Sequence, residues 1–349
     1  MNSRRARNAR LAVSLLLAAC GGDSGNAISP THPVVDPPPG AVAAFTVSPV
    51  ALDSVAIITP LGNLAPPGHV LPTDHAYMYA VDFDQRPIQR DSAVRGVYAP
   101  ATGAIDFMYL QAGGDSKVQF RVTEDFSYYL DHVVLLAGLT VGTIVHAGDL
   151  VGHTNPGGAI DLGAWDRKVT NTGFVNPRRY GEQSLHVVSP WSRFTEPLRS
   201  QIYARLRRHP SATERDARID FGVTGRLVGD WFHESLPVTA AESSGPNGWP
   251  KSISFAFDYY DPSKVRISIG GTLASAGVWG ITPEAPRPRD VQVASGKVAY
   301  RLMYTESTQV QYGLLLVEML AEDRLRIEVF VGNQDGDAAF DGNAMIYLR

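Results

Sequence analysis

Residues 61–166 contain four stretches that carry most of the chain's histidines: PPGHVLPTDH (Pro66–His75), FSYYLDH (Phe126–His132), VHAGDLVGH (Val145–His153) and AIDLGAWD (Ala159–Asp166). The residues around them are mainly β-branched or aromatic, and Gly, Pro or Asp residues bound each run. This pattern is typical of short strands joined by turns. These stretches therefore predict the fold of the domain, and any active site is expected here.

The strand pattern extends over residues 46–190, in runs such as HAYMYAVDF, GAIDFMYLQ and KVQFRVTEDFSYYLDHVVLL. Few windows in this range show helical periodicity. We predict an all-β domain here, built as a compact sandwich or a flattened barrel.

Residues 191–215 have a different pattern. Leu198, Ile202, Tyr203 and Leu206 recur at helical spacing, and Pro210 is expected to stop the helix. We predict one helix that links two β domains.

Residues 216–349 return to strands, in runs such as SISFAFDYY, KVRISIGG and DRLRIEVFV at hairpin-like intervals. About eight strands without an intervening helix are expected, in an antiparallel barrel or sandwich. The Gly-x-Trp of Gly229–Trp231 and the terminal Arg349 are similar to the pattern of lipocalin-like barrels. That resemblance implies that Arg349 packs on Trp231.

The N-terminus combines Arg4, Arg5, Arg7 and Arg10 with a short apolar run that ends at Cys20. This arrangement resembles the lipobox of bacterial lipoproteins. It implies that residues 1–20 are a signal peptide, that Cys20 is lipidated, and that a membrane of the bacterial envelope anchors the protein. The alternative is an ordinary signal peptide in which the cysteine is incidental.

Residues 21–45 are rich in Gly, Ser and Pro and are predicted to form a flexible tether. Cys20 is the chain's single cysteine, so no disulfide is expected despite export. The formal net charge of −4 comes with no basic block, which argues against a nucleic-acid partner.

Three ordered motifs resemble those of the lysostaphin-type zinc endopeptidases, which cut peptide cross-links in peptidoglycan. They are an Ala-Pro-x-x-Gly-x-Ile turn (Ala99–Ile105), a Tyr…His strand (Tyr129–Val133) and a Gly-Asp turn (Val145–Gly152). The resemblance covers residues 61–166, about a third of the chain. It implies the duplicated-hairpin β-sandwich fold of that family.

The active-site motifs depart from the family pattern. His69 and Asp74 are separated by four residues instead of three, and Ala159 and Asp161 stand where the last strand of the family has His-x-His. The resemblance implies a zinc site with His69, His75 and Asp161 as first-choice ligands and Asp74 in reserve. It also implies that His132 is the acid/base or oxyanion partner. Read without a metal, these residues are turn aspartates, a surface histidine and a half-buried histidine.

The predicted function is hydrolysis of peptidoglycan cross-links by metal-activated water. Two alternatives remain open at this point. The domain could be an inactive peptidase fold that binds cell-wall peptide or a protein partner, which Ala159 favours. The C-terminal barrel could also carry a small apolar ligand. Other nucleophiles are not indicated, because the sequence has no Gly-x-Ser-x-Gly elbow and its single cysteine is Cys20.

Overall fold

The computed structural model describes residues 35–83, 92–305, 307–334 and 336–349. Cys20, the signal peptide (1–20) and the first part of the tether (21–34) lie outside these residues. Of the helices in the described residues, none has the length and apolar character needed to cross a bilayer.

Within the described residues, nine strands form the first sheet, in the order β1-β2-β9-β6-β5-β4-β7, with β8 paired to both β3 and β6. The strands are β1 (Ile57–Ile58), β2 (His75–Tyr79), β3 (Gly96–Tyr98), β4 (Gly103–Leu110), β5 (Ser116–Arg121), β6 (Phe126–Leu135), β7 (Ile144–Val145), β8 (Leu150–Thr154) and β9 (Ile160–Asp166). All of the pairs are antiparallel.

The alternation along these strands divides the sheet into an apolar face and a polar face. In β5, Val118 and Phe120 are buried in the core, while Lys117, Gln119 and Arg121 face the other side and line a cleft. The same period of two runs through β9. One face of the sheet thus forms the core and the other is available for a site.

The segment after the first sheet packs against both faces of the sheet. It contains α1 (Glu182–Leu185), α2 (Leu198–Arg205) and two 3-10 turns (Pro177–Arg179 and Trp191–Arg193). Trp191 is buried and donates its indole N–H to the carbonyl of Thr59 at 2.8 Å. Ile202 joins Trp191 in the core, while Gln183 and Ser184 of α1 line the cleft on the opposite face of the sheet.

The linking helix is shorter than the helical spacing predicts. It ends at Arg205, and Leu206 is already extended. Leu206 forms a parallel bridge with Ile58, and the Arg207 amide donates to the Ile58 carbonyl at 2.7 Å. Pairing with β1 therefore ends the helix before Pro210, and propensity alone does not reveal that competition.

Eight further strands of the described residues close into an antiparallel barrel. They are β10 (Gly229–His233), β11 (Ser252–Phe257), β12 (Val265–Ile269), β13 (Gly277–Gly280), β14 (Lys297–Tyr304), β15 (Ser307–Ala321), β16 (Arg324–Val331) and β17 (Met345–Leu348). Pairing of β10 with β17 closes it. The all-β prediction is confirmed, with a barrel as the C-terminal form. The expectation of no intervening helix was wrong, because α3 (Ala240–Ser243) lies between β10 and β11.

Arg349 packs on Trp231 as the Gly-x-Trp pattern implies. Its guanidinium carbon lies 3.9 Å from the centre of the Trp231 ring, and it donates to backbone carbonyls that include that of Val228 at 3.3 Å. Gly229 has φ 107°, and a Cβ there would lie 2.6 Å from the Cα of Gly222. Glycine is therefore required at the start of this strand. Side chains fill the inside of the barrel, including Trp231, Phe255 and Tyr300.

Asp230 joins the barrel to the first unit, which consists of the first sheet and the segment that follows it. This buried carboxylate accepts hydrogen bonds from Tyr180 at 2.9 Å and from Ser254 at 2.6 Å. Phe232 and Leu236 of the barrel belong to the same apolar core as the first sheet. The two units thus share a packed boundary.

Replacing Arg349 with Met should lower the free energy of unfolding by about 2–4 kcal/mol, because the cation–π contact and buried hydrogen bonds are lost together. Urea unfolding followed by tryptophan fluorescence measures this change. The control is Arg324→Met. The Arg324 side chain is 49% exposed, and its ion pair with the exposed Glu234 is long, at 3.8 Å. Equal effects of the two substitutions would contradict the assigned role of Arg349.

Candidate metal site

A cleft of about 810 Å³ opens along the polar face of the first sheet and extends to the outside of the barrel. His69, Asp74, His75 and Asp131 line it on the sheet side, and Trp249 lines it from the barrel side. The cleft therefore connects the predicted ligand residues with the C-terminal unit.

Asp161 lies in the middle of the sheet, because β9 pairs with β2 on one side and with β6 on the other. It is opposite Tyr77 of β2 and Asp131 of β6. Alternation along β9 places it on the same face as Trp165, which lines the cleft. Asp161 is only 3% exposed, so a carboxylate is buried next to the cleft.

His75 directs one ring nitrogen toward Asp161. Its Nδ1 lies 3.1 Å from Oδ1 of Asp74, and its Nε2 lies 3.5 Å from Oδ2 of Asp161. An ionised carboxylate only accepts hydrogen bonds, so Nδ1 carries the proton and the lone pair of Nε2 is available. Tyr77 donates its hydroxyl to this Nε2 at 2.9 Å, and this hydroxyl would turn away if a metal were bound.

His132 reaches Asp161 from the other side because of a β-bulge in β6. The register between β5 and β6 shifts between the pairs Ser116↔Val133 and Val118↔Leu130. His132 has φ 63°, which is uncommon for a residue other than glycine. The bulge lets the adjacent residues Asp131 and His132 both point toward Asp161, a known use of bulges beside functional sites.

The ring of His132 is oriented in the same way as that of His75. Its Nδ1 lies 3.0 Å from Oδ2 of Asp115, and its Nε2 lies 3.6 Å from Oδ2 of Asp161. Asp115 also accepts a hydrogen bond from Asn155 at 3.0 Å. Two Asp–His pairs therefore aim their Nε2 atoms at one carboxylate oxygen, the arrangement in which a carboxylate orients a metal-binding imidazole.

The arrangement suits a divalent cation. Two ligand atoms on a tetrahedral zinc ion are about 3.3 Å apart, close to the separations of 3.5 and 3.6 Å around Asp161. Among the described residues, Asp131, His132 and Asp161 offer ligand atoms that all lie within 4.8 Å of one another; His75 is outside this group and would have to move closer to His132 to bind the same ion. Oδ1 of Asp161 is buried without a hydrogen-bond partner. Two nitrogens and carboxylate oxygens are a donor set that zinc accepts.

The charges of the cluster are unbalanced without a cation. Burial raises the pKa of Asp161 from 3.8 to about 6; His75 and His132 oppose this rise, and Asp131 adds to it. Burial also raises the pKa of Asp74, but the hydrogen bond and charge of His75, with Lys117 and Ser184, bring it below its usual range. A cation between the imidazoles would favour the ionised form of Asp161.

The structure places His69 and Asp74 around His75 and not around Asp161. The rings of His69 and His75 are 5.2 Å apart, and no ion pair joins His69 to a carboxylate within 4.0 Å in the described part of the chain. Burial, with a smaller contribution from the charge of His75, lowers the pKa of His69 from 6.5 to about 3. Asp74 accepts hydrogen bonds from His75, Tyr129 and Ser184. His69 is therefore a neutral neighbour of the cluster, and Asp74 orients His75.

The last strand offers no further ligand beside Asp161. Ala159 precedes β9, and Gly163 is the next residue on the same face. A Cβ on Gly163 would lie 2.1 Å from a carbon of the Tyr129 ring. Tyr129 thus occupies the space that a side chain at position 163 would need.

The sequence reasoning missed Asp131 and Asp115 as members of this cluster. Asp131 accepts hydrogen bonds from the His132 amide at 2.7 Å and from Gln111 at 2.5 Å. Its position directly before His132 would indicate a site residue only if the bulge in β6 were already known. Asp115 lies in the turn before β5, and nothing in its local sequence distinguishes it from an ordinary turn aspartate.

No protein-family model matches this chain, and no curated protein matches its sequence. Among solved structures, Csd3 of Helicobacter pylori is similar at 16% identity, over 44% of this chain and 36% of Csd3, with a TM-score of 0.30. A zinc-containing peptidase of Vibrio cholerae is similar at 13% identity, over 36% of this chain and 37% of that protein, with a TM-score of 0.27. Lysostaphin is similar at 10% identity, over 82% of this chain and 85% of lysostaphin, with a TM-score of 0.25.

The matched region spans about a third of Csd3, 36% and 31% in two crystal forms. All of these TM-scores are low. The assignment of the site therefore rests on the geometry of its own side chains.

The buried Asp161 should make the metal-free protein less stable as the pH rises. Its pKa in the folded state, about 6, is above the unfolded value of 3.8, so its stabilising contribution is full below pH 3.8 and is lost as the pH rises through 6. Two pKa units correspond to about 3 kcal/mol. Relative to Asp161→Asn, the wild type should therefore lose about this much free energy of unfolding between pH 3.5 and pH 7.5 in EDTA. Parallel curves for the two proteins, measured by urea unfolding, would show that Asp161 is not strained by burial.

Proposed function

We propose that the first unit of this protein is a zinc-dependent peptidase that hydrolyses peptide cross-links of peptidoglycan. One observation carries the proposal. Two imidazoles, each held by its own carboxylate, direct Nε2 toward Oδ2 of the buried Asp161 at 3.5 and 3.6 Å. Such a set is costly to maintain without a cation, because the buried carboxylate of Asp161 keeps one oxygen without a hydrogen-bond partner in a poorly hydrated place.

In this proposal His75, His132 and Asp161 hold the zinc ion, as two nitrogens and one oxygen. Asp74 and Asp115 fix the tautomers of the two imidazoles. His132 thus becomes a ligand instead of the acid/base residue that the family resemblance implies. His69 and Asp74 support the ligands without binding the metal.

Bound zinc would supply a water of lowered pKa and would polarise the carbonyl of the peptide. Asp131 would accept the proton of that water, because its carboxylate adjoins the ligand atoms and is held by Gln111 and the His132 amide. Tyr129 donates its hydroxyl to Asp74, the carboxylate that orients His75. Burial raises the pKa of the Tyr129 hydroxyl well above 10, so this hydroxyl remains a donor. The cleft that Asp131 lines also reaches Trp249.

The location is proposed from the sequence. The apolar run that ends at Cys20 supports export and lipid anchoring in the bacterial envelope. An anchored enzyme with a Gly-, Ser- and Pro-rich tether would reach cell-wall peptide near its membrane.

A non-catalytic module that binds cell-wall peptide in the same cleft is the second candidate. Ala159 and Gly163 favour it, because neither position of the last strand beside Asp161 carries an imidazole. This candidate predicts peptide binding without turnover, with or without zinc.

Zinc binding and hydrolysis test the proposal together. Purified protein should bind about one zinc ion by calorimetry and metal analysis, as expected for a three-residue site with an open position. The variants His75→Ala, His132→Ala and Asp161→Asn should lose this binding. The matched control is His146→Ala, because His146 is exposed in a turn outside the cleft. Full zinc binding by Asp161→Asn would contradict the proposed ligand set.

The supporting residues should have graded effects. Asp115→Asn should weaken zinc binding by about 10–100-fold, because His132 loses its orienting partner. Asp131→Asn should keep the zinc and lower the rate of cross-link cleavage by about a hundredfold or more. Release of soluble peptides from purified peptidoglycan measures the rate. Zinc-loaded wild type that releases none would support the binding module and contradict the peptidase.

A further inference from the structure

Lys117 is a cation of the cleft that the proposed chemistry does not use. It lies on the cleft face of β5, opposite the bulge that contains Asp131 and His132. Its Nζ is 3.6 Å from the centre of the Tyr129 ring and donates to Oε1 of Gln183 at 3.3 Å. Both partners are uncharged, and the side chain is half-buried.

The other cations that line the cleft have carboxylates beside them. Arg121 lies 3.8 Å from Asp106, and Arg167 pairs with Glu182. Among the described residues, no carboxylate oxygen lies within 4.0 Å of Nζ of Lys117. Lys117 acts on Asp74 and Asp161 only through longer-range charge interactions, so it is the cation of the cleft with which a ligand carboxylate could form a direct ion pair.

A hydrogen-bonded ladder fixes Lys117 in this place. Gln183 accepts from Lys117 and donates to Gln119 at 2.9 Å, and Gln119 donates to Asp106 at 3.1 Å. The ladder connects α1 with β5 and β4 across the cleft. The ammonium is held by packing on Tyr129 and by one amide, so little side-chain entropy remains to be lost when a ligand binds.

We propose that Lys117 binds a carboxylate of the ligand, so that the cleft selects peptides with a free carboxylate beside the bond that faces the metal cluster. This inference rests on the proposed function for the identity of the ligand as a peptide. A half-buried ammonium with uncharged partners has lost hydration without an ion pair, and a ligand carboxylate restores that interaction by charge-assisted hydrogen bonds. Tyr129 links Lys117 to the residues that orient the metal cluster. The ammonium of Lys117 lies over the Tyr129 ring, and the Tyr129 hydroxyl donates to Asp74.

The carboxylate could be a peptide C-terminus or an acidic side chain, and three small peptides distinguish these sources. They are N-acetyl-alanyl-alanine, its C-terminal amide, and the α-amide of N-acetyl-glutamate. Each is titrated into the full mature protein in EDTA, and binding is followed by NMR. Without metal, no carboxylate can bind to zinc, so the measurement is independent of hydrolysis.

At least one of the two acids should bind about tenfold more tightly than the amide, as expected for one charge-assisted hydrogen bond. Lys117→Gln should remove this preference, and Lys117→Arg should retain it. The control Lys168→Gln should bind like the wild type, because the side chain of Lys168 is 74% exposed, pairs with Asp125 and does not line the cleft. The better of the two acids identifies the source of the carboxylate.

Equal affinity of wild type for acids and amide, or an unchanged preference in Lys117→Gln, would overturn the inference. Circular dichroism of Lys117→Gln establishes that the variant is folded. A preference that depends on Lys117 in a protein that fails to bind zinc would retain this subsite and reject the peptidase. Zinc binding and cleavage with no carboxylate preference would retain the peptidase and reject the Lys117 subsite.

Discussion

The burial of Asp161 is the constraint on which the rest of the site depends. A carboxylate in the middle of a sheet, 3% exposed and with one oxygen unpartnered, is unfavourable unless positive charge lies beside it. His75 and His132 provide nitrogens on two sides, and Asp74 and Asp115 orient them. Two imidazoles, each oriented by its own carboxylate, are thus directed at a single oxygen atom, Oδ2 of Asp161.

The sheet builds this arrangement through the position of β9 and the bulge in β6. β9 lies between β2 and β6, so Asp161 is flanked by Tyr77 of β2 and by Asp131 of β6. In a regular strand, Asp131 and His132 would point to opposite faces. The bulge and the positive φ of His132 turn both toward Asp161, and residues outside regular geometry are often found where function requires them.

The sequence predicted the elements better than the site. Alternating residues were sufficient for the strands, and Gly229, Trp231 and Arg349 were sufficient for the closing contact of the barrel. His75 and Asp161 were predicted to be metal ligands because both stand in motifs. The role of Asp131 depends on a register shift, and that of Asp115 on a contact between a turn and His132, and neither leaves a periodic signal. The end of α2 depends on pairing of Leu206 with β1, which helical spacing does not contain.

The position of a bound metal tests the central claim most directly. Crystals of the protein grown with zinc should give an anomalous peak at the zinc edge about 2.0–2.2 Å from Nε2 of His75, Nε2 of His132 and an oxygen of Asp161. Asp74 and Asp115 should remain hydrogen-bonded to the two rings. A peak bound to His69 and Asp74 without Asp161, or a cluster with no peak at saturating zinc, would contradict the account.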